Sequence, residues 1–189
     1  MSSVMESALR EIDALSREDG YLLIAIDGRC ASGKSTLASQ LKEHFGCNVI
    51  PMDHFFLQPH QRTAERIGEP GGNVDHERFF AEALTPLMRR VAFSYRPYDC
   101  QNMRFADPIA VMPHRINVIE GAYSCHPSLY EHYNLRIFLS VDKAEQQRRI
   151  IERNGAEAFA VFKERWIPLE EQYFSVLRIQ EKCELSLNT

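Results

Sequence analysis

The chain has 189 residues, 44% hydrophobic and 25% charged, with a formal net charge of −4. That is enough for one domain with a sizeable buried core. The slight acidic excess argues against a protein that coats nucleic acid or lies on a membrane surface, since both begin from a basic excess; small anionic ligands stay within reach of a few placed Arg and Lys.

In chain order, Met5, Leu9, Ile12 and Leu15 recur at helical spacing, so the spacing predicts an amphipathic helix over residues 1–19, ended by Gly20. This stretch has no basic region followed by an apolar run, so it does not read as a secretory signal, and no apolar run in the chain is long enough to span a bilayer. YLLIAID, residues 21–27, is a continuous apolar run, as in a strand buried on both faces. The glycine-rich turn GRCASGKS follows. Leu37, Leu41 and Phe45 then share one helical face, and Gly46 stops the helix. CNVIPMD reads as a second strand. Residues 54–73, with Pro59, Pro70, Gly71 and Gly72, read as a loop with one helical turn at most.

A helix is expected over residues 76–90, then a loose hairpin from VAFSYRPYDC onward. RINVIEG and LRIFLSVD are two more strands. Asp142 can cap a helix that reaches Arg153. The tail, with Phe159, Phe162, Trp166, Tyr173 and Leu177, is helical in pattern. Strands alternating with helices predict one α/β domain over residues 1–189, a doubly wound and mostly parallel sheet whose ligands sit at the strands' carboxyl ends. Gly28, Asp53, Glu120 and Asp142 all fall there. The five cysteines (Cys30, Cys47, Cys100, Cys125, Cys183) form no C-x-x-C pair, which fits free thiols in a reducing cytoplasm. The seven histidines show no metal spacing.

Residues 28–35 fit G-x-x-x-x-G-K-[ST] between a buried strand and an amphipathic helix. Glycines let the backbone approach a phosphate, and successive N–H groups with the helix's positive end hold it. Gly28, Ala31, Ser32, Gly33, Lys34, Ser35 and Thr36 are the candidate cradle for ATP or GTP, with Lys34 on the β- and γ-phosphates and the Ser35 hydroxyl on Mg²⁺. Asp53 is either a turn cap or an acceptor of a substrate hydroxyl's proton. Glu120 is either a solvated strand end or an orienter of the waters on Mg²⁺. Arg148, Arg149 and Arg153 are either a solvated face or a clamp on the transferring group. Phe55 and Phe56 suit core packing better than stacking on a base.

Taken together, ASGKST, PMDHFF, GNVDHERF, YRPYDC, VIEG and RRIIER resemble, in order, motifs of the uridine kinase family of P-loop nucleoside kinases, with the pantothenate kinase and phosphoribulokinase branches also similar. The resemblance covers residues 24–153. It implies a P-loop NTPase fold with a small helical lid, here residues 148–166. It implies Asp53 as catalytic base, Asp75 and His76 at the acceptor pocket, Tyr98 and Asp99 over the nucleoside, and a lid arginine, Arg149 or Arg153, on the γ-phosphate. Arg104 joins the pocket set as the basic residue that follows the Tyr98 segment. Two departures are plain: NGAEAF lacks the family's second basic cluster, and Gln101, Asn102, Met103 and Arg104 stand where a histidine is expected. The implied partner is a small-molecule acceptor, a nucleoside first, with no nucleic acid or membrane; self-association stays open. Two other readings remain. IAIDG with SGKST also resembles cytidylate kinases, whose anionic acceptor would use Arg62, Arg66 and Arg104. A nucleotide-binding regulatory module would need no acceptor at all.

Overall fold

The computed structural model describes residues 3–18 and 20–189; residues 1, 2 and 19 of the expected first helix lie outside the described residues. Its elements run α1 (Ser3–Glu18), β1 (Leu22–Gly28), α2 (Lys34–Phe45), β2 (Asn48–Pro51), α3 (Ala64–Gly68), α4 (His76–Phe79), α5 (Thr85–Met88), β3 (Phe93–Tyr95), β4 (Tyr98–Asp99), β5 (Arg104–Phe105), β6 (Ile109–Val111), β7 (Ile116–Glu120), α6 (Pro127–Tyr130), β8 (Leu135–Ser140), α7 (Lys143–Asn154), α8 (Ala156–Val161), α9 (Ile167–Val176), α10 (Ile179–Lys182) and β9 (Leu185–Asn188).

Five strands form one parallel sheet in the order β2-β7-β1-β8-β9. β1 lies between β7 and β8, with Ile24 opposite both Val118 and Leu135. All seven residues of β1 are buried, and their alternation divides the core. Leu22, Ile24 and Ile26 pack with Ile12 of α1 and Leu37 and Leu41 of α2. Leu23 and Ala25 join the opposite layer, with Phe55, Phe79, Phe138, Tyr173 and Phe174. Helices thus cover both faces, as a parallel sheet requires. Because the chain passes from β7 across β1 to β8, the carboxyl end of β1 is the point at which the winding reverses and a crevice opens.

Several expectations change in detail. The helix expected over residues 76–90 spans α4, a π-helical turn at Phe80–Leu84 and α5. A second π-helical turn, Phe162–Trp166, joins α8 to α9. Each wide turn ends two residues before a proline, Pro86 or Pro168. Proline has no N–H and its ring clashes with the carbonyl four residues back, so a wider turn relieves both faults without ending the helix. The expected hairpin is two short antiparallel pairs, β3 with β6 and β4 with β5. The tail does not end as helix: β9 adds a parallel edge strand, with Leu185 opposite Ile137. Among the described residues all five cysteines are free, and no helix is long and apolar enough to cross a membrane.

Candidate active site

Gly28 ends β1 at φ +134°, and a Cβ there would lie 2.0 Å from the Leu139 carbonyl oxygen of β8. Only glycine lets the strand leave the sheet at this point. The turn then uses two left-handed residues, Ala31 at φ 59° and Gly33 at φ 88°. Such alternation turns successive N–H groups inward and makes an anion-binding concavity. Gly33 is also the N-cap of α2 and supplies no side chain to cap it, so the first-turn N–H groups point into the crevice. Lys34 is the first residue of α2. Its Nζ donates to the carbonyl oxygens of Gly28 at 2.7 Å and Arg29 at 2.8 Å, which holds the ammonium across the mouth of the turn.

The acids converge from neighbouring strand ends. Ser35 Oγ donates to Glu120, 3.1 Å from Oε2 and 3.3 Å from Oε1. Burial raises the Glu120 carboxyl above its usual range, and the charge of Asp53 adds to this. Gly121 follows at φ +137°; a Cβ there would lie 2.9 Å from Met52 Cβ and 3.6 Å from Asp53 Oδ1. That close approach seats the short 3₁₀ turn Met52–Phe55 against β7 and brings Asp53 into the same cavity. The Asp53 carboxyl faces the cavity, yet the protein around it displaces enough water to raise its pKa, against the pull of Lys34, His54 and Arg153. A serine hydroxyl and two carboxyls of raised pKa form a hard oxygen set that suits Mg²⁺, which keeps several waters and binds few protein ligands.

The cavity measures about 1100 Å³. Lys34, Ser35, Asp53, Glu120, Arg149 and Arg153 all line it. Arg149 Nη1 donates to Ala31 O at 3.1 Å, and its Nε pairs with Glu145 at 2.7 Å. Arg153 donates to Asn154 Oδ1 and faces the cavity without a carboxylate partner among the described residues. Arg148 instead points to solvent and pairs with Glu145 and Glu152.

The expected acceptor set is placed elsewhere. Asp75 caps α4, accepting from Arg78 N at 2.9 Å and from Gln61 Nε2 at 2.8 Å. His76 stacks on His126 with ring centroids 3.9 Å apart. Tyr98 is buried against Phe105, Asp99 closes the hairpin tip by accepting from Gln101 N and Asn102 N, and Arg104 is exposed. None of these five lines the cavity. Phe56, Arg62, Asn73, Cys100 and Tyr123 do, as do Phe162 and Trp166 of the segment expected to form a lid. Phe56, Asn73 and Cys100 fall within the PMDHFF, GNVDHERF and YRPYDC segments but are not among the expected site residues, and Arg62 and Tyr123 lie outside any motif; the set is gathered from five separate loops.

A further residue went unmarked by sequence reasoning. Asp27 is fully buried beneath the turn, where its carboxylate accepts from the N–H groups of Gly28, Tyr123 and Cys125 and from Tyr173 Oη at 2.9 Å. It ties the end of β1 to the loop after β7 and to α9. Tyr173→Phe removes one donor from a buried charged acceptor, so stability is expected to fall by about 1.5–3 kcal/mol, with Tm lower by roughly 5 °C in a thermal melt.

No protein-family model matches the chain. The chain is 27% identical over 172 residues to "Putative kinase protein 029R" of Invertebrate iridescent virus 3, covering 86% of this chain and 84% of that protein. Among solved structures it is similar to a "putative fructose transport system kinase" from Silicibacter sp. TM1040, with TM-score 0.72 and 21% identity over 99% of this chain and 100% of that one. It is also similar to a "possible uridine kinase" from Bacillus stearothermophilus, with TM-score 0.65 and 18% identity over 95% of this chain and 99% of that one. With its parallel sheet, its phosphate turn and these likenesses, the chain has the fold of the P-loop kinases.

Proposed function

We propose that this chain is an ATP-dependent phosphotransferase that moves the γ-phosphate to a hydroxyl of a small molecule, a nucleoside in the manner of uridine kinases. GTP would fit the same cradle. The observation that carries the reading is that one cavity joins Lys34, Ser35 and Glu120 to Asp53, a carboxylate on a separate strand end. A nucleotide-binding switch needs no base facing an acceptor hydroxyl, so Asp53 in this cavity favours the transferase reading.

The N–H groups of Ala31, Gly33, Lys34 and Ser35 hold the phosphates, those of Gly28, Arg29, Cys30 and Ser32 being donated within the protein, and Lys34 swings from the carbonyls of Gly28 and Arg29 to the β- and γ-phosphates. Ser35 and Glu120 would hold Mg²⁺, which when bound neutralises charge on the phosphates. Asp53 accepts or orients the proton of the attacking hydroxyl. Arg153, or Arg149 on release from Glu145, clamps the transferring group. The lid segment, residues 148–166, closes over the acceptor with Phe162 and Trp166 and excludes the water that would otherwise be phosphorylated. Asp75, His76, Tyr98, Asp99 and Arg104 would enter this scheme only by shaping the walls behind the cavity. The reading takes a cytoplasmic setting, with neither nucleic acid nor membrane as partner; it leaves self-association open.

A monophosphate acceptor would call for several free guanidinium groups. Arg66 is committed to Glu77, with both contacts at 2.7 Å, and to the carbonyls of Gly72 and Val74. Arg104 does not line the cavity, which leaves Arg62 of the three. That balance supports a neutral hydroxyl acceptor. ADP release should therefore be acceptor-dependent in a panel of uridine, cytidine, other nucleosides, pantothenate, nicotinamide riboside and CMP, with a nucleoside giving the strong rate. A rate with CMP alone would overturn the hydroxyl reading in favour of a monophosphate kinase.

A further inference from the structure

The phosphate turn is held by side chains that arrive late in the sequence. Glu170 of α9 accepts the Cys30 N–H at 2.8 Å across a separation of 140 residues, and it is only 7% exposed. The next residue, Glu171, pairs with Arg29 at 2.6 Å. From α7, Gln146 Nε2 donates to Cys30 O at 3.0 Å and Arg149 Nη1 to Ala31 O at 3.1 Å. The middle of the turn is thus gripped on both sides, by α7, which runs into the segment 148–166, and by α9, which follows it. Only one of these grips, Glu170, brings a buried acid to a backbone N–H of the turn itself, next to the cradle residue Ala31.

The groups that face Glu170 come from four places. Lys34 of α2 attracts it; Asp27 of β1 repels it; the Cys30 thiol and the Tyr123 hydroxyl lie against it. Lys34 is the attractive charge that acts on it most strongly, while Arg149 and Arg153 line the same cavity. Nucleotide phosphates would draw Lys34 toward themselves and would bring further negative charge into the same water-poor space, where repulsion is weakly screened.

The geometry points to Glu170 as a positioning residue for nucleotide binding: its carboxyl fixes the Cys30 amide, and its negative charge opposes the phosphates until it takes a proton. Burial, the largest influence, moves the Glu170 carboxyl up to about 7, with Lys34 pulling it down. A group that is protonated in the complex and free to ionise in the unbound protein weakens binding as pH rises through its pKa. The inference rests on phosphates lying in this turn and not on the identity of the acceptor.

The test is ATP binding by titration calorimetry at pH 6 and pH 8 for wild type, Glu170→Gln and Glu170→Ala, with circular dichroism to verify folding. Gln can still accept from Cys30 but cannot ionise. The ratio of wild-type to Glu170→Gln dissociation constants is expected to rise about tenfold from pH 6 to pH 8, following the falling protonated fraction. Titration of the nucleotide's own phosphates is common to both proteins and cancels. Glu170→Ala is expected to bind ATP more weakly than Glu170→Gln at both pH values. An unchanged ratio across pH overturns the charge effect, and equal binding by the Gln and Ala variants overturns the amide-positioning effect. Should Glu170→Ala fail to fold, the Gln ratio alone decides. Intact ATP binding without acceptor turnover would count against the proposed function and leave this inference standing; no ATP binding by the wild type would overturn both.

Discussion

Lys34→Ala is expected to lower kcat/KM by at least roughly a hundredfold with every acceptor. The ammonium is the one lysine in the cavity, and the protein already aims it across the mouth of the turn through the Gly28 and Arg29 carbonyls. Removing one preorganised donor from developing charge costs about 2.7–4 kcal/mol in enzymes of known mechanism, and a full charge in a water-poor site belongs at the upper end. The same substitution leaves two carbonyls without their donor, so a melt must accompany the kinetics. Lys34→Met, which keeps much of the stem's packing, separates the two effects: catalysis stays lost while folding recovers. Turnover near wild type in a folded Lys34→Ala protein would remove the phosphate turn from the reaction.

Asp53→Asn is expected to cut kcat by about 10²–10⁴, the range for loss of a positioned proton acceptor, while ATP binding stays within a few-fold of wild type. Asn keeps the shape and loses the charge, so the Met52–Phe55 turn need not move. A pH dependence follows from the raised Asp53 pKa. The base must be ionised to act, so as pH falls activity should be lost earlier than an ordinary aspartate would lose it. Lys34, His54 and Arg153 favour the ionised form, and burial opposes them with greater effect. The pH–rate profile of kcat/KM checks this; an acid limb at or below the ordinary carboxylate range would contradict the desolvated environment. Glu120 also has a raised pKa and neighbours Asp53, so the limb belongs to the pair rather than to one residue.

The elements that position the phosphate end were legible in the sequence because their signals are local and long. β1 is seven buried residues, the turn matches a spaced pattern, and α2 shows a helical stripe ended by Gly46. Asp142 caps α7 as its position suggested, accepting from Ala144 N and Glu145 N. β9 was not legible: four residues with Leu185 and Leu187 on one side read as a tail until β8 is present to pair with them. The acceptor side was obscured by residues whose local roles mimic functional ones. An Asp before a helix, such as Asp75, and an Asp in a tight turn, such as Asp99, satisfy backbone N–H groups wherever they occur. Glu170 and Tyr173 escaped notice for the opposite reason. Tyr173 reads only as part of the helical pattern of the tail and Glu170 not at all, and only the tertiary fold shows that they rest on Asp27 and the phosphate turn.

The central claim is that the γ-phosphate goes to an acceptor's hydroxyl within this cavity. The most direct measurement is a single-turnover reaction with γ-labelled ATP and the best acceptor of the panel, in wild type and in Asp53→Asn, with the label followed to its product. The account predicts label on the acceptor's oxygen in the wild type, and its loss by orders of magnitude in Asp53→Asn. Label appearing only as inorganic phosphate, at the same rate in both proteins and with or without the acceptor, would contradict it.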